Sequence, residues 1–124
     1  MILDASALLA LLQDEPGADK VQAVLHRAII NTVNWSEVIQ KLSVHDPDAA
    51  DIRAEMELTG LKIMPFTIDQ AEICAKLWEQ AKPFGLSLAD RACIATGIDR
   101  NMEIMTTDKV WQEMELPIAV NVIR

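Results

Sequence analysis

Four acidic residues stand where an α/β chain could gather them. Asp4, Glu37, Asp90 and Asp108 each lie just past an apolar run or within the first turn of a candidate helix. Met1-Ile-Leu3 runs straight into Asp4, and an almost wholly apolar stretch, Ala5 to Leu12, follows at once. If Met1 to Leu3 form a buried parallel strand, Asp4 falls at its carboxyl end, the edge where open α/β sheets bind ligands. A carboxylate between two apolar segments is costly to bury unless it is paired or binds a cation. Several carboxylates brought together raise one another's pKa values, and a hard divalent cation with oxygen ligands, Mg²⁺ or Mn²⁺, relieves that repulsion. Such a centre can activate water and hold the attacking and leaving oxygens of a phosphodiester.

The same acids have a structural reading. Asn34-Trp-Ser-Glu37 and Ser87-Leu-Ala-Asp90 have capping-box spacing. Asp108, after Thr107, falls in a first helical turn, where an acid suits the helix dipole. Taken singly, Glu37, Asp90 and Asp108 read as caps. Asp4 does not, because a short interior strand gives it little reason to be acidic. Asp90 is the loosest member, since a helix rather than a strand leads into it. Together, the four at matching junctions favour a site.

The elements that must position them alternate. After the first helix, Asp14-Glu-Pro-Gly17 is a break. The spacing predicts a helix over Asp19 to Arg27, a strand at Ala28 to Ile30 and a helix from Trp35 to Val44. Asp46-Pro47 opens a further helix, with Ala49, Ile52 and Met56 on its apolar face and Gly60 at its end. Leu61 to Phe66 reads as a strand that Pro65 pushes to a sheet edge. Thr67-Ile-Asp-Gln70 starts a helix with Ala71, Cys74, Ala75 and Trp78 on one face, ended by Pro83-Phe-Gly85. Ser87 opens the next, whose small residues Ala89, Ala92, Cys93, Ala95 and Gly97 permit close packing. Ile104-Met105 is a short strand, Thr107 caps a short helix near Val110 to Met114, and Ala119 to Ile123 is a last strand. Strands alternating with helices imply a single α/β domain over residues 1–124, a three-layer α/β/α sandwich with a mostly parallel sheet.

Composition excludes several classes. The 124 residues are 51% hydrophobic and 24% charged, an ordinary globular balance. A net charge of −8 opposes passive electrostatic binding to nucleic acid or anionic membrane, and favours a basic protein partner or bound cations. No apolar run reaches the roughly 18 residues of a membrane span. The amino terminus has no basic region before Asp4, unlike a signal peptide. Cys74 and Cys93 lack a CxxC pair or a nearby His, so packed, reduced thiols in a cytoplasmic protein are expected rather than zinc or a disulfide.

Leu3-Asp-Ala-Ser-Ala-Leu8, Asn34-Trp-Ser-Glu-Val38, Gly85-Leu-Ser-Leu-Ala-Asp-Arg91 and Thr106-Thr-Asp-Lys-Val-Trp111 resemble, in that order, the four acidic motifs of PIN-domain proteins. Among these the match is to VapC-type ribonuclease toxins of bacterial toxin–antitoxin pairs, and it spans essentially the whole chain. The resemblance implies a PIN-like parallel sheet with Asp4 on the central strand, and Mg²⁺- or Mn²⁺-dependent endonucleolytic cleavage of RNA. Asp4, Glu37, Asp90 and Asp108 align with the family's catalytic, metal-binding acids. Ser6 matches a hydroxyl that supports the first acid, and Thr107 a Thr found beside the fourth. Homodimers, and inhibition by a cognate antitoxin whose tail enters the active site, are also implied. The segment between Glu37 and Gly60 is shorter than is common in these toxins, which bears on how substrate and antitoxin are gripped.

Two rivals keep parts of the pattern. Aspartyl-nucleophile phosphatases place an Asp after the first strand, but they carry Asp-x-Asp there and position 6 is Ser. A non-catalytic interaction module on the same fold would keep the architecture without turnover. Arg91 could contact a phosphate or orient a carboxylate, or be a solvated helix-face residue, and Lys109 reads as a surface lysine. Trp35 could stack on a base but suits a core or interface position better. His26 and His45 stand apart from any acid at ligand spacing. Leu8, Leu9, Leu11 and Leu12 make the first helix apolar nearly all round, which either a partner surface or deep burial would explain.

Overall fold

The computed structural model of the chain describes residues 1–46 and 51–124. Its strands are β1 (Ile2–Leu3), β2 (Ile29–Asn31), β3 (Lys62–Met64), β4 (Ile104–Thr106) and β5 (Val120–Val122). They pair in the order β3-β2-β1-β4-β5, and every pairing is parallel. Parallel neighbours require crossover connections, and the chain supplies helices for them. These are α1 (Ala5–Leu12), α2 (Ala18–Val24), α3 (Thr32–Ser43), α4 (Ile52–Leu58), α5 (Ile68–Lys76), α6 (Trp78–Ala81) and α7 (Leu88–Arg100).

Period-two alternation along the strands divides the core. Ile2 lies in register with Ile29 and Ile104, and all three belong to the apolar cluster beneath α5, α6 and α7. Leu3, Ile30 and Met105 point to the other face, into the cluster that α1, α2 and α4 cover. The result is the expected three-layer sandwich. Deep burial accounts for the apolar surplus of α1: Ala5, Ala7, Leu8, Leu9 and Ala10 are buried, and Leu11 and Leu12 pack half-buried on the same core.

Several boundaries differ from the sequence expectation for local reasons. Helix α3 begins at Thr32 rather than Trp35, because the Asn31 side chain accepts the Asn34 N–H (2.8 Å) and caps the helix where β2 ends. The helix expected to open at Asp46-Pro47 with Ala49 on its face involves residues 47–50, which lie outside the described residues; the described part, α4, buries Met56. Gly60, just past α4, has φ 101°, and a Cβ there would meet the His26 carbonyl oxygen at 2.6 Å. Strand β3 is an edge strand, as Pro65 predicts.

The Thr67–Gln70 capping box forms, but the buried stripe of α5 is Gln70, Cys74 and Leu77. Ala71, Ala75 and Trp78 are exposed, the helix restarts at Trp78, and that ring lies under the Lys82 ammonium at 4.7 Å. Residues Lys109–Glu113 form a 3₁₀ segment capped by Asp108, not by Thr107. Among the described residues, no helix is long and apolar enough to cross a membrane.

Candidate active site

Asp4 leaves the carboxyl end of the central strand and is 4% exposed. Its backbone N–H donates to the Met105 carbonyl of β4 (2.9 Å), so strand pairing fixes where its side chain starts. Although Asp4 occupies the position that caps α1, its carboxylate makes no capping bond. Two hydroxyls claim it instead. Ser6 Oγ donates to Asp4 Oδ2 at 2.6 Å, and Thr106 Oγ1 donates to the same oxygen at 3.0 Å. Each hydroxyl also accepts a backbone N–H from the turn after β4: Ser6 Oγ from Thr107 (3.1 Å), and Thr106 Oγ1 from Asp108 (3.1 Å). Neither hydroxyl uses Oδ1.

Burial pushes the Asp4 pKa up to about 6, against 3.8 for a free side chain. The Asp90 and Glu37 charges push it in the same direction, and the two hydroxyl bonds oppose the rise. Cys93, fully buried on α7, lies in the field of the same acids. Its thiol is raised by burial and further by the charges of Asp4, Asp90 and Glu37. Three acids from distant parts of the chain therefore lie near enough for the charges of Glu37 and Asp90 to act on Asp4.

Each of those acids is also held locally. Asp90 completes a capping box: its Oδ2 accepts the Ser87 N–H (2.9 Å), while Ser87 Oγ accepts the Asp90 N–H (3.1 Å). Its structural reading is thus realised alongside its proximity to Asp4. The Asn34–Glu37 capping box is not. Helix α3 starts too early for it, so Glu37 stands in the second turn, where its Oε1 accepts from Asn34 Nδ2 at 3.1 Å. Asp108 departs from the set. It is exposed, its Oδ1 accepts the Val110 N–H (3.1 Å), and it is not among the charges that act on Asp4.

Thr107 contributes a backbone N–H to this network, whereas the hydroxyl on Asp4 belongs to Thr106, which the sequence reading left out. Extending β4 one residue past Met105 is what buries Thr106, so the signal lay in the strand's length. Asn31 and Asn34, both fully buried, were likewise missed as site residues. Arg91 turns to α5, where its Nη1 donates to the Cys74 carbonyl at 2.9 Å. Trp35 packs on the core, and Lys109, His26 and His45 are exposed. Both cysteines are buried free thiols.

Among the described residues, no three His, Cys, Asp or Glu side chains stand close enough together to hold a metal ion as they are. The chemistry of the donors nevertheless fits a hard cation. They are all carboxylate oxygens, Asp4 is buried at a cost its own pKa records, and Asp4 Oδ1 is left out of both hydroxyl bonds.

The family model of the PIN domain matches residues 1–116. Comparison with curated protein sequences gives no match. Among solved structures, the chain is similar to a toxin–antitoxin complex from Klebsiella pneumoniae at TM-score 0.69 and 23% identity, covering 86% of this chain and 85% of that one. It is also similar to FitAcB from Neisseria gonorrhoeae, at TM-score 0.71 and 19% identity over 97% of this chain and 95% of that one. A third is DNA-bound VapBC from Salmonella typhimurium, at TM-score 0.71 and 12% identity over 96% and 94%. At these identities the likeness is one of fold.

Proposed function

The chain belongs to the PIN-domain family, and on that premise we propose that it is a divalent-metal-dependent endoribonuclease, the toxin of a toxin–antitoxin pair. The observation that carries the reading is Asp4: a carboxyl group buried at the carboxyl edge of the sheet, with a pKa raised to about 6, beside Asp90 and Glu37. A carboxyl group held there at a cost to stability is what a cation site would require.

In this reading Asp4, Glu37 and Asp90 hold Mg²⁺ or Mn²⁺, with Asp108 joining at the rim when substrate and metal are present. The cation supplies Lewis-acid polarisation of the scissile phosphate and stabilises charge on the leaving oxygen. Ser6 and Thr106 fix the Asp4 carboxylate by engaging Oδ2, which restricts its rotation and leaves Oδ1 outside both bonds. The capping box holds Asp90 at the first turn of α7. Asp108 is anchored beside Asp4 through its own N–H, which donates to Thr106 Oγ1 (3.1 Å), the same hydroxyl that engages Asp4.

Purified protein should cut single-stranded RNA with Mg²⁺ or Mn²⁺, lose that activity in EDTA, and lose it in the Asp4→Asn variant. Cleavage that survives both EDTA and the substitution would sink the proposal. The partners carried by the same reading are RNA as substrate, a cognate antitoxin protein and a second copy of the chain. Co-expression with an adjacently encoded small protein, followed by sizing of the complex, tests the last two.

One observation favours a different reading. Asp90 and Asp108 both serve as helix caps, and Asp108 is exposed, as in an interaction module that keeps the fold without turnover. Such a module would show no specific Mn²⁺ binding on titration, whereas a nuclease would.

A further inference from the structure

Two buried asparagines, Asn31 and Asn34, join the start of α3 to α7. Asn31 and Asn34 are both completely buried. Asn31 Nδ2 donates to the Ala92 carbonyl (3.1 Å) and to Thr96 Oγ1 (2.9 Å), while its Oδ1 accepts the Asn34 N–H (2.8 Å). One turn along, Asn34 Nδ2 donates to the Ala89 carbonyl at 3.0 Å and to Glu37 Oε1 at 3.1 Å. The two amides thus form a clasp. Each grips a backbone carbonyl on α7, three residues apart on one helical face, and the second also grips the carboxylate of Glu37.

The direction of the Asn34 amide is not arbitrary. Both groups facing its Nδ2, a carbonyl and a carboxylate, are acceptors, so only the NH₂ end satisfies them. That choice leaves Asn34 Oδ1 buried with no hydrogen-bond partner. An orphaned buried acceptor is destabilising, because it loses its bonds to water and gains none in return. A residue chosen for stability alone would avoid that cost with an apolar side chain or a single hydroxyl. The cost is explained if both donors of Asn34 are needed at once, one on each helix.

We infer that Asn34 is a positioning residue of the acidic site: its buried amide ties the Glu37 carboxylate to the first turn of α7, beside Asp90, and so sets the separation of those two acids. The inference rests on the metal-site reading and deepens it. Without the tie, Glu37 has the rotamer freedom of a half-buried glutamate and its distance from Asp90 is no longer fixed. Removing a group that orients a metal ligand typically weakens metal binding by about 10–100-fold.

The test is Mn²⁺ titration by calorimetry on the wild type, Asn34→Leu, Glu37→Gln and the double variant. The expected result is a loss of about tenfold or more in Mn²⁺ affinity for Asn34→Leu, and no further loss when it is added to Glu37→Gln. If Asn34→Leu is folded and binds Mn²⁺ as the wild type does, or if the two losses simply multiply, the positioning role is overturned.

A second measurement needs no change at Asn34. In the metal-free wild type, the Asn34 side-chain NH₂ protons should exchange slowly with solvent and should shift on Glu37→Gln. Fast exchange or an unmoved signal overturns the inference even if Asn34→Leu fails to fold. A folded wild type that binds no Mn²⁺ and cuts no RNA would instead bring down the nuclease reading, while the amide signals still report whether the clasp exists.

Discussion

At Asp4, the proposed metal-binding role and stability pull against each other in a measurable way. Its pKa rises from 3.8 to about 6 in the fold, so between those values the folded protein binds more protons than the unfolded chain. Stability therefore falls as pH rises through that window, and above it the whole cost, roughly 3 kcal/mol, is present. Asp4→Asn removes the charge yet keeps an acceptor for Ser6 and Thr106. In EDTA, its melting temperature should exceed the wild type's by several degrees at pH 8, and the gain should shrink toward pH 4. A variant less stable than wild type at pH 8 would show that the buried charge is not the cost inferred here. The adjacent threonines separate just as cleanly. Thr106→Val removes a donor to Asp4 and leaves the Asp108 N–H without its acceptor, so Mn²⁺ affinity should fall about 10–100-fold. Thr107 enters only through its backbone, and Thr107→Val should change Mn²⁺ affinity by less than about threefold, a contrast that titration of the two variants checks.

At the scale of elements, close packing of α7 on β4 brings the two ends of the site together. Gly97 is the contact: a Cβ there would lie 2.8 Å from Ile104 Cγ1. Gly→Ala inside an exposed helix gains about 1 kcal/mol of helix propensity. Here the sign should reverse, with Gly97→Ala lowering the urea midpoint, because Ile104 is fully buried and has no room to move. The small residues of α7 were legible in the sequence, and so was the alternation that makes the sheet parallel; the central place of the Asp4 strand was implied only by the family resemblance. What escaped the sequence was contact between elements. Nothing local distinguishes Asn31 and Asn34 from loop residues before a helix; only when β2 runs into α3 without a loop do they face α7. The Asn34-to-Glu37 spacing fits a capping box as well as an in-helix pair, and the earlier cap at Asn31 decides between them. The stripe of α5 was misplaced for a related reason: Gln70 is buried because its amide reaches Asp99 on α7 (3.1 Å), which no hydrophobic pattern can register.

For the molecule as a whole, the net charge of −8 constrains how a polyanion could be held. A nuclease that grips RNA by lysines and arginines loses affinity steeply with salt, since each neutralised phosphate releases counterions. Within the motif segments, Arg91 is committed to the Cys74 carbonyl, which leaves Lys109, exposed beside Asp108, as the basic neighbour. Approach of RNA to this surface is repulsive until divalent cations compensate it, and monovalent salt screens that repulsion within a Debye length of about 8–10 Å. Cleavage measured below saturating RNA, at fixed saturating Mg²⁺, should therefore change by no more than about threefold between roughly 50 and 200 mM KCl, against the 10³–10⁵-fold loss of a binder with many phosphate contacts. A fall of tenfold or more would mean that basic groups hold the substrate. Those groups would be Lys109, residues outside the acidic motifs or a second subunit, and the same titration on the Lys109→Ala variant would tell whether this one lysine accounts for the slope.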